Sequence, residues 1–175
     1  MASTPVGTDR SLSSNYIFQS NSAAECLTGG SLAALVVYDR FFNTYAVASL
    51  NRTLTNADPY LEVSLWASDL AGVVSNGGAI ESWSGQAGQP LSGSRPVYHA
   101  SGGYNGGSYV KASYTACQTG QYLQLLKNPL VLNMGTNGGL TIGVLMRWDS
   151  LNSLGNDRII DFGNGIVDWV VLYRW

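Results

Sequence analysis

"LTIGVLMRW", residues 140–148, decides how this chain folds. Leu140, Ile142, Val144, Met146 and Trp148 fall on one side of an alternation, against Thr141, Gly143 and Arg147 on the other. A period of two is the pattern of a pleated strand with one buried face, because successive side chains point to opposite sides. The same pattern recurs at both ends of the chain. Leu61, Val63 and Leu65 alternate with Glu62, Ser64 and Trp66, and Val167, Trp169, Val171 and Tyr173 alternate with Asp168, Val170 and Leu172. Residues 109–116 read as a strand with mixed faces. Asn-Gly pairs at 76–77, 105–106, 137–138 and 164–165 supply the positive φ that tight turns require. Residues 68–74 offer one helical turn, and no amphipathic helix of useful length is present. The sequence therefore predicts an all-β, antiparallel two-sheet sandwich, with Trp148 and Trp169 in the core.

Working outward, residues 1–57 differ from the rest. Residues 1–30 are rich in Ser, Thr and Asn and read as an N-terminal arm. Residues 31–38 and 45–50 read as a strand pair within it, and 58–175 form the sandwich body. Hydrophobic residues make up 45% of the 175, enough for a core, while charged residues make up 11%. Ordinary soluble domains carry about 25%, so this surface suits a secreted or assembled protein. A net charge of −2 and nine scattered basic residues argue against a nucleic-acid partner. No apolar run approaches the ~18 residues needed for a membrane span. The start, MASTPVGTDRSLSS, has neither the basic nor the apolar region of a signal peptide. Cys26 and Cys117 read either as a disulfide tying the arm to the body, worth about 4 kcal/mol for so long a loop, or as two buried thiols. Asn51-Arg52-Thr53 is a glycosylation sequon, which points to an extracellular or cell-surface setting.

The ordered set "LWASDLAGVVSNGGAIESWSGQAGQ" (65–89), "RPVYHASGGYNGGSYVKAS" (95–113), "GQYLQL" (120–125), "GGLTIGVLMRWDSL" (138–151) and "DRIIDFGNG" (157–165) resembles laminin-G-like, concanavalin A-like jelly-roll modules. The resemblance covers about residues 61–175 and implies a jelly-roll sandwich. Ser84-Gly85 follows Trp83 where the family commonly has an acid, which weakens a calcium or catalytic role for that turn. The resemblance stops near mid-fold at Trp175. Three completions follow as expectations: strands from the N-terminal region, strands lent by another chain, or a longer protein of which this is a piece.

Glycoside hydrolysis needs two carboxylates about 5–9.5 Å apart. Asp157 and Asp161 are four residues apart, about 13 Å on a strand at ~3.3 Å per residue, and Glu62 and Glu81 are isolated. A glucanase-type enzyme is thus a third-ranked expectation. His99 reads as a surface or hydrogen-bonded loop residue, with no serine elbow to serve. Calcium, which wants hard oxygen ligands, has candidates in Asp149, Asn152, Asn156 and Asp157, although Asn and Asp cap turns everywhere. For sugar or protein binding the aromatic candidates beside Gly-rich loops are Trp66, Trp83, Tyr98 and Tyr104, with Trp83 reading more readily as a core plug that closes the sandwich. The expected function is a non-enzymatic extracellular or surface module recognising a glycan or a protein. The alternative is a structural subunit of a filament, coat or large assembly.

Overall fold

β-Branched and aromatic residues at period two form the strands of this protein wherever both faces find cover. The computed structural model describes residues 10–12, 14–18, 29–40, 59–88, 95–113, 121–127, 130–132, 139–148, 157–164 and 167–174. In chain order the strands are β1 (Arg10–Leu12), β2 (Ser14–Ile17), β3 (Gly29–Tyr38), β4 (Leu61–Trp66), β5 (Ser82–Trp83), β6 (Ala87–Gly88), β7 (Val97–His99), β8 (Tyr109–Ser113), β9 (Leu123–Leu125), β10 (Leu130–Leu132), β11 (Thr141–Trp148), β12 (Asp157–Asn164) and β13 (Val167–Arg174). Two short 3₁₀ turns, Ala67–Leu70 and Tyr104–Gly106, complete the regular elements. The helical turn expected over 68–74 is the first of these.

All strand pairings among the described residues are antiparallel. One sheet has β3 at its centre: β11 lies along one side, while β8 and β4 share the other, and β7 extends beyond β8. The second runs β13-β12-β2-β9-β6-β5, and β1 pairs with β10 separately. Leu35, Val37, Val63, Leu65 and Val110 from the first sheet meet Ile17, Leu123, Leu125, Ile160 and Phe162 from the second in one buried cluster. This is an all-β sandwich. Residues 140–148 behave as their pattern requires: Leu140, Ile142, Val144, Met146 and Trp148 pack against the core. Trp169 lies in β13, but its side chain is outside the described residues.

β2 and β3 precede residue 57, yet both are interior strands, so the stretch read as an arm contributes a central strand to each sheet. The strand expected at 45–50 lies outside the described residues, as do Cys26, Cys117 and the Asn51 sequon.

The two sheets are tied together at β4. Trp83 is fully buried and its indole N–H donates to the carbonyl of Trp66 at 3.0 Å. The Trp66 indole in turn donates to Ser64 Oγ at 3.0 Å. Three residues past Trp83, the Gln86 side chain engages both backbone groups of Ser64. Its Oε1 accepts from the Ser64 N–H at 2.8 Å and its Nε2 donates to the Ser64 carbonyl at 3.0 Å. A side-chain amide here does what a neighbouring strand would do, satisfying the edge of β4 from a hairpin that belongs to the other sheet. Ser84 and Gly85 make the turn between β5 and β6 with φ of 52° and 64°.

Removing either half of that amide strands a partly buried backbone group. Gln86→Ala is expected to cost about 1–3 kcal/mol, read as a lower urea midpoint with unchanged slope. Gln86→Glu will not restore it, because an ionised carboxylate accepts but cannot donate to the Ser64 carbonyl.

On the outer side of the second sheet the rings of Tyr16 and Tyr122 meet edge to face, 5.8 Å apart at 76°. Burial, and then repulsion from Tyr16, raises the Tyr122 phenol above its ordinary 10.0. The neutral form is favoured in the folded state, so its contribution is complete below the unfolded pKa and disappears as pH rises through the folded one. Comparing urea midpoints at about pH 9 and about pH 11 should show a smaller alkaline loss in Tyr122→Phe than in the parent.

Candidate sheet-face site

The candidate site begins with a one-residue irregularity in β3. Opposite it, Leu145 pairs with Ala34 but Met146 pairs with Leu32, so Ala33 is an extra residue, a β-bulge. Leu32, Leu35 and Val37 turn into the core. The bulge leaves the small Ala33 on the outer face beside Ser31. In β8, Val110 and Ala112 point inward, which turns Tyr109 and Lys111 outward, and in β7 the buried Tyr98 leaves Val97 and His99 outside.

Register then aligns these outward residues. Arg147, Ser31, Lys111 and Val97 form one row across four strands. In the next row Tyr109 faces His99 directly, and the two rings stack with centroids 4.7 Å apart and planes 14° from parallel. The Arg147 guanidinium lies 6.0 Å from the Tyr109 centroid, a cation–π contact.

Residues 100–107 fold back over this face. The Gly103 N–H donates to the Gly107 carbonyl at 2.8 Å, and Gly107 N–H to the Tyr104 carbonyl at 2.9 Å. Asn105 and Gly106 take left-handed φ of 50° and 75°, a conformation that glycine adopts freely and asparagine tolerates. Gly103 has no such φ but is needed for space: a Cβ there would sit 2.8 Å from the Gly107 oxygen and 3.1 Å from the Tyr109 ring. Tyr104, carried on this loop, is 69% exposed. Between loop, β3 and β11 lies a cavity of about 300 Å³, lined by Ser31, Ala33, Tyr104, Tyr109, Leu145 and Arg147 together with Gly103 and Met146.

Of the aromatic residues expected to bind ligand, Tyr104 stands at this cavity. Trp83 and Tyr98 do not: at 0% and 2% exposure they offer no ring face and are core residues. Trp66 is half-buried on the same outer face, paired with Ala34, but does not line the cavity. His99 belongs to strand β7 and backs Tyr109 rather than sitting in a loop. Tyr109, Arg147 and Ser31 escaped the sequence reading. The signal for Tyr109 was its place just after a Tyr-Asn-Gly-Gly turn, which must return the chain across it. Arg147 carried no such mark, since it joins the site only through register with β3.

Of the calcium candidates, Asp149, Asn152 and Asn156 lie outside the described residues, and Asp157 opens β12 opposite Arg174. Among the described residues no three His, Cys, Asp or Glu side chains cluster as metal ligands. Glu62 pairs with Lys127, and Glu81 with Arg95; neither glutamate lines the cavity. A second cavity of about 320 Å³ lies beside Val73, Val74 and Asn76, and none of its described lining residues is charged. No helix among the described residues is long and apolar enough to cross a membrane.

Fold and site together define a β-sandwich with an aromatic, cationic recess on one sheet face. Compared with known proteins, the chain matches no family model, no curated protein and no solved structure.

Gly103→Ala should push the loop off Tyr109. The expected outcome is a loss of about 1–3 kcal/mol, the usual cost of overpacking a fitted contact, with an altered near-ultraviolet circular dichroism signal from the tyrosines. Gly77→Ala is the control, since a Cβ there meets nothing within 4 Å although its φ of 80° is strained.

Proposed function

We propose that this chain is a non-enzymatic recognition module, extracellular or on a cell surface, that binds a glycan on the outer face of its five-stranded sheet. The observation that carries the reading is Tyr109, stacked with His99 and lining, together with Tyr104, a cavity of about 300 Å³. A sugar ring has one apolar face and an equatorial belt of hydroxyls. It is held by a flat aromatic surface beside polar groups, which is the composition of this recess: Tyr109 and Tyr104 for stacking, Ser31 and Arg147 for hydrogen bonds. The stack beneath Tyr109 holds its ring in place, so little freedom is lost on binding. The low charge content of the chain is in keeping with an extracellular setting. We place the fold among concanavalin A-like, laminin-G-like jelly rolls on the order of its sequence features, and the antiparallel two-sheet arrangement is consistent with that.

A structural role in an assembly is the second reading, and one observation favours it. Among the described residues β11 pairs with β3 alone, and its core-side residues, from Leu140 to Trp148, remain only partly buried. A neighbouring subunit adding a strand there would cover them.

Screening on a glycan array tests the first reading. Tyr109→Ala and Tyr104→Ala should each weaken the best ligand about tenfold or more while the melting transition persists, and Trp66→Ala should not. Absence of binding to any glycan, or undiminished binding by Tyr109→Ala, would reject it. The assembly reading instead requires mass that grows with concentration in light scattering, and a strictly monomeric protein would exclude it.

A further inference from the structure

We infer that Asn105-Gly106, at the tip of the loop beside the recess, is a site of spontaneous deamidation, while the fold shields the like pair Asn76-Gly77. The inference does not depend on what the recess binds. An asparagine followed by glycine can lose its side-chain amide to its own backbone. The Gly106 nitrogen attacks Asn105 Cγ and closes a five-membered succinimide. The Cγ–Nδ2 bond breaks, and the Gly106 amide proton leaves with Nδ2 as ammonia. Water then opens the ring, its hydroxyl joining one carbonyl carbon and its hydrogen the ring nitrogen. Opening at Cγ leaves aspartate. Opening at the main-chain carbonyl leaves isoaspartate, whose backbone runs through the side chain and is one methylene longer. Glycine favours the attack because it has no Cβ to obstruct the nitrogen and ranges freely in φ.

The fold decides which pair can react, because the glycine nitrogen must be released and the asparagine side chain must swing toward it. At 76–77 both are held. Asn76 Oδ1 accepts from the Ala100 N–H at 2.9 Å, and the Gly77 N–H donates to the Tyr98 carbonyl at 2.8 Å. The Tyr98 N–H returns to the Gly78 carbonyl and the Ile80 N–H donates to the Pro96 carbonyl, each at 2.9 Å. Residues 77–80 are thus laced along β7, whose Tyr98 is in the core, and freeing Gly77 means peeling them off a sheet. At 105–106 the Gly106 N–H donates to the Gly103 carbonyl, 3.0 Å away within the same turn. No residue of that turn is buried, and Asn105 is exposed between paired glycines on either side. This turn opens without disturbing a strand, and openings of that kind are the cheapest a fold offers. The other two Asn-Gly pairs, at 137–138 and 164–165, reach outside the described residues. The two products differ in effect. Aspartate tolerates the left-handed φ of 50° and adds a negative charge with the turn kept. Isoaspartate lengthens a loop closed by the 2.8 Å bond from Gly103 to Gly107, and so displaces Tyr104, which lines the cavity.

The test ages the full chain at mildly alkaline pH and follows each Asn-Gly peptide by mass spectrometry after digestion at acid pH, with isoaspartate read by enzymatic methylation. In the folded protein Asn105 should convert about tenfold or more faster than Asn76, the scale of one further backbone hydrogen bond that must open. In strong urea the two should convert within about twofold of each other, because the fold no longer separates them. The isoaspartate form, resolved chromatographically from the parent, should show a changed near-ultraviolet circular dichroism of the tyrosines with the melting transition retained. Equal rates in the folded state, a faster Asn76, or a difference that persists undiminished in urea would overturn the inference. An isoaspartate form with the parent's spectrum would overturn its reach to Tyr104. All of these readouts are chemical or spectroscopic, so binding or failure to bind a glycan bears on the earlier reading alone.

Discussion

The amide of Gln86 against the backbone of Ser64 is the contact on which the sandwich depends. β4 is a border strand whose outward N–H and C=O at Ser64 would otherwise meet either water or a void. Gln86 meets both with one planar group at 2.8 and 3.0 Å. Because the turn that carries Gln86 also carries the buried Trp83, polar closure and apolar filling arrive together. The Trp83 indole donates to Trp66, one strand position beyond Leu65, so the hairpin grips β4 at two successive outward backbone sites. β4 in turn flanks the half of β3 beyond the bulge, while the half before it lies between β8 and β11 and forms the floor of the recess. The stability of the site is therefore linked to a hairpin that never touches it.

The division of labour within that hairpin follows from side-chain chemistry. Tryptophan fills volume and has one donor to satisfy, which a backbone carbonyl does. Glutamine has a donor and an acceptor in the geometry of a peptide group, so it can stand in for a strand where none is available. The stretch around Trp83 has the look of a sugar-binding loop, being polar, Gly-rich and aromatic. Its polar groups are instead used in joining the sheets.

Strand periodicity made the sheets legible from residues 61–66, 140–148 and 167–173, because in each the burial pattern is written in the side chains themselves. The role of residues 14–17 and 29–38 as interior strands was harder to read. β3 is buried on both faces, with Ala34, Val36 and Tyr38 at 6%, 8% and 0% exposure, so it reads as a plain apolar run without alternation. The site was legible only where it is local. Tyr104 advertises itself beside an Asn-Gly turn, but Arg147, Ser31 and Tyr109 meet through the register of three strands far apart in sequence. Trp83 reads as a core plug and is one, fully buried, whereas Tyr98 misled because proximity to glycine suggests exposure and its inward place on a short strand is set by pairing partners elsewhere.

The extra residue in β3 has a consequence for how this surface can change. Ser31, itself 5% exposed, and Ala33 line the recess, whereas Ala34, Val36 and Tyr38 on the same side beyond the bulge are buried and take no part in it. A single inserted residue thus marks where one face of a continuous strand passes from lining the recess to packing alone. Substitutions at Ser31 or in residues 100–107 alter what the protein meets while leaving the hydrophobic register of residues 34–38 untouched. Deleting Ala33 would close the register, with Leu32 and Ala34 facing Met146 and Leu145 in regular succession, so the inward set of Leu32, Leu35 and Val37 would be kept and only the extra outward residue lost. The bulge thus widens the outer face of β3 at the recess without disturbing its inner one.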